Sequence, residues 1–247
     1  MSDPRDTRHL VVDVLAVGPH PDDVELGCGG TLATLAARGR SFGILDLTRG
    51  EMGTRGTPEI RAGEAAESAR ILGARFRETL DLGDGGLRTD RAAELEVLDV
   101  VRRHRPSLVL APHPHDRHPD HLRGSALVKA AAFYAGLKSL QTGTPPHRPQ
   151  QVVFYPTSYD STPTFLVDVS AAFERKLEAI RAYRSQFHDP NAAEPDTYIS
   201  SKGYFDGIVA RARQLGRIAN VDYAEGFVAL LPPLLADPIA AFAGYEP

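Results

Sequence analysis

The chain is poor in several features, and each shortage excludes a class of protein. Its 247 residues include a single cysteine, Cys28, which cannot form a disulfide within the chain. The sequence therefore predicts a protein of a reducing compartment, the cytoplasm. The formal net charge of -4 leaves no broad basic surface. Nucleic acid is therefore not an expected partner.

Long hydrophobic runs are also missing. Residues 1–8 are polar, and the apolar run that follows them is interrupted at Pro19. This pattern is typical neither of a secretory signal peptide nor of a membrane span, so we expect a disordered arm over 1–8 and no membrane partner. The apolar content of 42% is ordinary for a globular protein. Residues 9–247 show no shift of composition that would require a second domain, and we expect them to form one domain.

Strand and helix patterns alternate along the first half of the chain. The predicted elements are strands at 10–17, 41–48, 76–82 and 108–112 and helices at 27–38, 58–72, 92–104 and 119–137. This alternation predicts an α/β fold with a Rossmann-like, mostly parallel sheet and helices on both faces. The less regular second half has predicted strands at 152–155 and 165–169 and helices at 171–183 and 205–218. Residues 187–202 are expected to form a mobile loop near the site.

Two short motifs combine histidine and aspartate with proline. His20-Pro21-Asp22-Asp23 follows the first predicted strand, and His118-Pro119-Asp120-His121 follows the fourth. Because the carboxyl ends of parallel strands meet at one edge of a sheet, these motifs are expected to converge. Imidazole and carboxylate groups are the ligands of many catalytic divalent metals. The sequence therefore predicts a metal site that activates water.

The ligands of this predicted site are His20, Asp23 and His121. Pro21 restricts His20 to an extended backbone, which allows His20 and Asp23 to bind from one tight loop. His121 lies in the first turn of a helix begun by Pro119 and can supply the third ligand from a distance in sequence. Two histidines and one carboxylate leave an open position that suits Zn²⁺, although Fe²⁺ accepts the same set.

The remaining polar residues of the two motifs are predicted to be catalytic. Asp22 adjoins a ligand without sharing the metal easily, so we assign it as the general base that accepts the proton of water. His118 lies about one helical turn before His121 and, when protonated, could stabilise an oxyanion. Asp120 is predicted to orient the His118 imidazole.

Three alternatives remain open from the residues alone. A lone His-Pro-Asp is usually a turn with a helix cap, although two such motifs after strands favour a site. A metal-binding protein without catalysis is a second alternative, against which Asp22 and His118 argue. The third is a nucleotide-binding oxidoreductase or binding module, because Gly27-Cys28-Gly29-Gly30 and Asp46 imitate a dinucleotide fingerprint. Leu32 replaces the third glycine, so we interpret the glycines as allowing close helix–sheet packing.

Further motifs extend this pattern over most of the chain. They are Pro-His-Pro-Asp-Asp-Val-Glu at 19–25, Leu-Thr-Arg-Gly-Glu at 47–51 and Ala-Pro-His at 111–113 leading to Asp116–His121. With them the chain resembles the LmbE/PIG-L family of metal-dependent N-acetylglucosaminyl deacetylases. Residues 183–187, 210–212 and 223–227 resemble the branch that deacetylates N-acetylglucosaminyl-malate in bacillithiol biosynthesis.

The resemblance implies an activity and further site residues. It implies hydrolysis of the acetamide of N-acetyl-D-glucosaminyl L-malate to glucosaminyl-malate and acetate, with the metal and catalytic residues as assigned above. It also implies that Arg61 and Arg117 contact this small sugar substrate, which suits the two carboxylates of malate. Tyr198 would close over the site. The family further implies a homo-oligomer, a hexamer or a trimer. Inositol conjugates and chitooligosaccharides are the alternative substrates.

Overall fold

The structure, a computed structural model, describes residues 10–159, 161–187 and 195–239. The predicted arm over 1–8 lies outside the described residues. In chain order the elements are β1 Val14–Gly18, α1 Asp23–Ala37, β2 Phe42–Asp46, α2 Pro58–Leu72, β3 Arg77–Thr79, α3 Arg91–His104, β4 Leu108–Pro112, α4 Pro119–Ala135, β5 Gln151–Tyr155, β6 Phe165–Asp168, a 3-10 turn at Ser170–Ala172, α5 Phe173–Arg181, α6 Lys202–Ile218 and β7 Ala224–Ala229.

The strands form one sheet in the order β3-β2-β1-β4-β5-β7-β6. Strands β1 to β5 are mutually parallel where they pair, and β7 runs antiparallel to both β5 and β6. The order reverses between β1 and β4, so the loops that follow these two strands diverge and open a crevice at the carboxyl edge. The prediction of a Rossmann-like, mostly parallel sheet is confirmed.

Helices cover both faces of this sheet. Because side chains alternate along a strand, Leu15 and Val17 of β1 join the core that packs under α3 and α4. Val14 and Ala16 point to the opposite face and join the core formed with α1, α2 and α5. The two faces are therefore buried by separate layers, and the carboxyl edge is left for the loops. No helix in the described part of the chain is long and apolar enough to cross a membrane.

Helix α2 has the predicted bounds because its end signals are local. Thr57 caps the helix by accepting a hydrogen bond from the Ile60 amide, and Pro58 occupies the first turn. Gly73 ends the helix with a φ of 88°. Helix α6 begins at Lys202, three residues before the predicted start, because Ser201 caps it through the Tyr204 amide.

The start of one further helix was predicted too late, and one strand was missed. Helix α1 begins at Asp23, one turn before the predicted start at Gly27, which makes Asp22 the residue at its N-cap position. Strand β7 was not predicted. It pairs with β5 and β6, which lie about sixty to seventy residues earlier in the chain. Its position between β5 and β6 follows from tertiary packing, and no local sequence pattern predicts it.

Candidate active site

The three predicted metal ligands meet at the carboxyl edge of the sheet. Asp23 lies between the two histidines, with its Oδ2 3.1 Å from His20 Nδ1 and its Oδ1 3.1 Å from His121 Nε2. All three side chains are buried. The β1 loop and the first turn of α4 bring them together, as the positions of the two motifs predicted.

The His121 ring nitrogen that faces away from Asp23 is held by Asp116, a residue to which the sequence analysis gave no role. Asp116 Oδ1 lies 3.2 Å from His121 Nδ1. Its Oδ2 accepts hydrogen bonds from the Thr157 hydroxyl at 2.7 Å and the Ser158 amide at 3.2 Å. A carboxylate behind a histidine fixes the ring and directs its other nitrogen, here toward Asp23. The His-flanked position of Asp116 in its motif was the available signal.

The outer nitrogen of His20 faces two further carboxylates. Its Nε2 lies 3.0 Å from Asp84 Oδ1 and 3.5 Å from Asp120 Oδ2. These approaches lack the angle of a hydrogen bond, so Nε2 is a buried nitrogen without a hydrogen-bond partner among the described residues. Asp84 also accepts from the Met52 amide at 2.8 Å. The sequence analysis missed Asp84, whose only signal is its glycine-rich loop after β3.

This donor set fits a divalent cation. Two imidazole nitrogens flank one carboxylate, and a carboxylate lies behind each ring. Burial acts to lower the pKa of His121, but the charges of Asp23 and Asp116 raise it to about 9. The same carboxylates that favour an imidazolium also favour a metal ion. The ring nitrogens of His20, His118 and His121 also lie within 4.8 Å of one another, so His118 is within reach of the same position.

Asp22 has the most strained backbone near the site. Its φ is 124°, a conformation that residues with a side chain rarely adopt. Arg61 lies beside it, with Nη2 2.7 Å from Asp22 Oδ2. Burial raises the pKa of Asp22 to about 7, against the opposite effect of the Arg61 guanidinium. A carboxylate with a raised pKa next to a candidate metal ligand is suited to proton transfer.

Arg61 is only 6% exposed. Besides Asp22, it donates to the Pro21 carbonyl from Nε at 3.1 Å and Nη2 at 2.8 Å. The guanidinium therefore braces the loop that carries Asp22, a position that the sequence analysis did not foresee. Direct contact of Arg61 with substrate stays a prediction.

Asp120 contacts the His118 imidazole through its backbone amide, while its carboxylate is bound elsewhere, so its predicted role in orienting His118 stays a prediction. That carboxylate accepts from the amides of Gly85 at 2.7 Å and Leu87 at 3.2 Å, so it is directed toward the loop before α3. His118 is instead the N-cap of α4, and its Nδ1 accepts from the backbone amide of Asp120 at 3.2 Å. A neutral His118 therefore carries its proton on Nε2. Burial and the neighbouring His20 and His121 lower its pKa, which favours this neutral form over the imidazolium expected from sequence.

An open cleft of about 330 Å³ gives access to these groups. Asp22, His118 and the predicted ligands line it. Arg117 and Tyr198 also line it, with the guanidinium carbon of Arg117 4.5 Å from the centre of the Tyr198 ring. Tyr198 is 65% exposed. Of the predicted mobile loop, 188–194 lie outside the described residues, and the remainder brings Tyr198 to the cleft.

The features that imitate a dinucleotide fingerprint are occupied by the protein itself. Arg77 binds both oxygens of Asp46, at 2.6 and 2.8 Å, and Asp46 is fully buried. Glu225 accepts from the amides of Gly30 at 2.9 Å and Thr31 at 2.7 Å. A Cβ at Gly27 would overlap the Tyr155 ring. The glycines allow close packing, as predicted, and leave no cradle for a pyrophosphate.

The fold and the site together define an α/β protein with a buried histidine–aspartate site of metal-binding type. Residues 15–132 match the family described as PIG-L, GlcNAc-PI de-N-acetylase. The chain is 36% identical to a diacetylchitobiose deacetylase of Thermococcus kodakarensis, over 87% of this chain and 82% of that protein. The chain therefore belongs to the PIG-L/LmbE family of deacetylases.

Other relatives show the range of this similarity. A probable N-acetyl-alpha-D-glucosaminyl L-malate deacetylase 2 of Bacillus cereus is 28% identical, over 70% of this chain and 83% of that protein. A 4-oxalmesaconate hydratase of Pseudomonas putida is also 28% identical, over 88% and 89%. Among solved structures, the conserved protein TT1542 from Thermus thermophilus has a TM-score of 0.84 and 46% identity, over 92% of this chain and 99% of that one.

Proposed function

We propose that this deacetylase removes the acetyl group from N-acetylglucosaminyl-malate with the help of a bound metal. The arrangement of Asp23 between His20 and His121 carries the proposal, because it joins three candidate ligand side chains in a buried cluster with a carboxylate behind each imidazole. Zn²⁺ suits this set of two nitrogens and one oxygen, and Fe²⁺ would also be accepted.

A metal held by His20, Asp23 and His121 would supply polarisation of the acetamide carbonyl and acidification of the attacking water. The Asp22 carboxylate accepts the proton of that water while Arg61 holds the loop in place. His118 donates from Nε2 to the developing oxyanion, its Nδ1 being engaged by the Asp120 amide. The C–N bond then breaks, and Asp22 returns the proton to the departing amine. Acetate and the free glucosamine conjugate result.

The malate conjugate is favoured by the charge at the cleft. Arg117 is exposed at the rim beside Tyr198, where a guanidinium can bind a carboxylate through two hydrogen bonds. The likeness to a probable malate-conjugate deacetylase supports this substrate. A relative of higher identity acts, by its name, on diacetylchitobiose, which makes a neutral disaccharide the main alternative.

An assay of acetate release tests the proposal. Purified protein is given N-acetylglucosaminyl-malate, the methyl glycoside of N-acetylglucosamine or diacetylchitobiose, each with and without a chelator. We expect the highest kcat/KM for the malate conjugate, loss of activity with chelator, and recovery on adding Zn²⁺ or Fe²⁺. A higher kcat/KM for diacetylchitobiose would contradict the malate assignment. Full activity of metal-free protein would contradict the role of the metal.

A further inference from the structure

A second chamber adjoins the cleft that holds the candidate metal ligands. It has a volume of about 300 Å³ and lies beneath α6. The two spaces share six lining residues, Leu26, Arg117, Thr157, Ser158, Tyr198 and Tyr204. A substrate whose acetamide lies at Asp22 and Asp23 can therefore extend into this chamber without leaving the protein surface.

The wall supplied by α6 is shaped by glycine. Gly203, Gly207 and Arg211 lie four residues apart and share one helix face, and all three line the chamber. A Cβ built at Gly203 or Gly207 would meet no atom within 4 Å, so the missing side chains leave open volume. An exposed glycine in a helix interior reduces the stability of the helix, which makes Gly207 on this face notable. The effect of the two glycines is to keep the chamber wide.

The charges of the chamber favour an anion. Its charged lining residues, within the part of the chain that the structure describes, are three cations and one anion: Arg117, Lys176, Arg211 and Glu225. Lys176 binds Glu225 at 2.6 Å, and the amides of Gly30 and Thr31 bind the same carboxylate. Glu225 is thus neutralised within the wall, and the lining as a whole keeps a positive balance.

Arg211 also connects the chamber to the metal-type site. Its Nη1 donates to the Thr157 carbonyl at 2.7 Å and its Nη2 to the Ser158 carbonyl at 3.1 Å. Thr157 in turn donates from its hydroxyl to Asp116, which lies behind His121. A group bound against Arg211 therefore contacts the segment that positions one of the candidate ligands.

We propose that this chamber binds the group attached to C1 of the glucosamine, and that it selects a carboxylate-bearing group over a neutral sugar. This inference rests on the proposed deacetylation. It adds Gly203, Gly207 and Arg211 as residues that determine specificity. The chamber then recognises one end of the substrate while the acetamide lies at the other.

Filling the chamber tests its role as a binding site. In Gly207→Leu we expect the KM for N-acetylglucosaminyl-malate to rise about tenfold or more, because the new side chain occupies the volume of the ligand. The kcat/KM for the methyl glycoside, which has only a methyl group at C1, should change less than about threefold. Gly63→Leu is the matched control, since Gly63 is an exposed glycine of α2 with no atom within 4 Å of its Cβ position. It should change neither constant.

The charge requirement is tested by Arg211→Gln and Arg211→Lys. Each is scored by the ratio of kcat/KM for the malate conjugate to that for the methyl glycoside, because loss of the Thr157 contact alone lowers both values together. We expect Arg211→Gln to reduce this ratio about tenfold and Arg211→Lys to preserve most of it.

An equal loss on both substrates in Gly207→Leu would overturn the chamber assignment.

Two other outcomes are also decisive. If wild-type protein prefers diacetylchitobiose and Gly207→Leu loses that preference, the anionic class is overturned. If wild-type protein with metal releases acetate from none of the three substrates, the proposed function fails, independently of the chamber.

Discussion

The protein has two groups of buried carboxylates, and their negative charges are neutralised in different ways. Glu25 and Asp46 share Arg77, whose nitrogens lie 2.6 Å from an oxygen of each. Asp23, Asp84 and Asp116 form no ion pair with lysine or arginine among the described residues and contact histidine instead. The first group has a permanent cation within the chain. The second has only groups that exchange protons, and it can therefore accept a cation from solution.

Changes at the candidate metal site, beside the carboxylates that contact histidine, should give the largest effect on turnover. We expect Asp22→Asn to retain its metal and to lose about a thousandfold in kcat, since the amide keeps an oxygen for Arg61 but cannot accept a proton. His121→Ala should instead lose the metal, because it removes one of the three proposed ligands. Elemental analysis of both purified variants, beside their kcat values, checks this division. Near-normal turnover in Asp22→Asn would exclude Asp22 as the base.

Glu25 and Asp46, the carboxylates that share Arg77, should contribute to stability without affecting metal binding. Arg77→Met strands two buried carboxylates and should lower the free energy of unfolding by about 3–5 kcal/mol. We expect a fall in Tm of roughly 10 °C, measured by calorimetry, with metal content per folded chain unchanged. Arg75→Met, at an exposed arginine two residues earlier, is the control. An unchanged Tm in Arg77→Met would show that the two carboxylates are neutralised in another way.

The partly exposed carboxylate of Glu78, which belongs to neither group, should give the smallest effect on stability. Burial acts to raise the pKa of Glu78, but hydrogen bonds from His104 and Arg103 lower it to about 2. Because this folded-state pKa lies below the unfolded value of 4.5, the stabilisation is present above about pH 5 and is lost as the pH falls from there toward 2. After allowance for solvent screening we expect about 1 kcal/mol.

The Glu78 effect is measured from Tm between pH 7 and pH 3. The fall in Tm toward low pH should be smaller in Glu78→Gln than in the wild type. Glu174→Gln, at a side chain that is 70% exposed, should show the same fall as the wild type. Parallel pH profiles for Glu78→Gln and the wild type would contradict the lowered pKa.

The residues that could be placed from sequence are those with signals near them in the chain. Pro58 and Gly73 mark the two ends of α2, and a short continuous apolar run located β4 at its observed bounds. His20, Asp23 and His121 could be brought together because each follows a parallel strand. Asp84 and Asp116 could not be assigned roles, since their contacts depend on loops whose paths follow from packing.

The contacts of the residues around the candidate ligands also could not be predicted from the sequence. The direction of the Asp120 carboxylate depends on the loop before α3, which local sequence does not describe. Likewise, the sequence did not predict the contact of Arg61 with Asp22, which depends on the approach of α2 to the β1 loop. Sequence pattern identified the chemical groups, while tertiary packing decided which neighbour each one contacts.

By itself the sequence determined the layered α/β fold and the chemistry available at its edge, because strand alternation and the types of polar residue are local properties. Only the tertiary structure decided how the carboxylates divide. Glu25 and Asp46 receive Arg77 from β3, while Asp23 receives two histidines. The physical reason is that a buried charge is neutralised by whichever partner the packing brings within about 3 Å, and this distance is not encoded in separation along the chain.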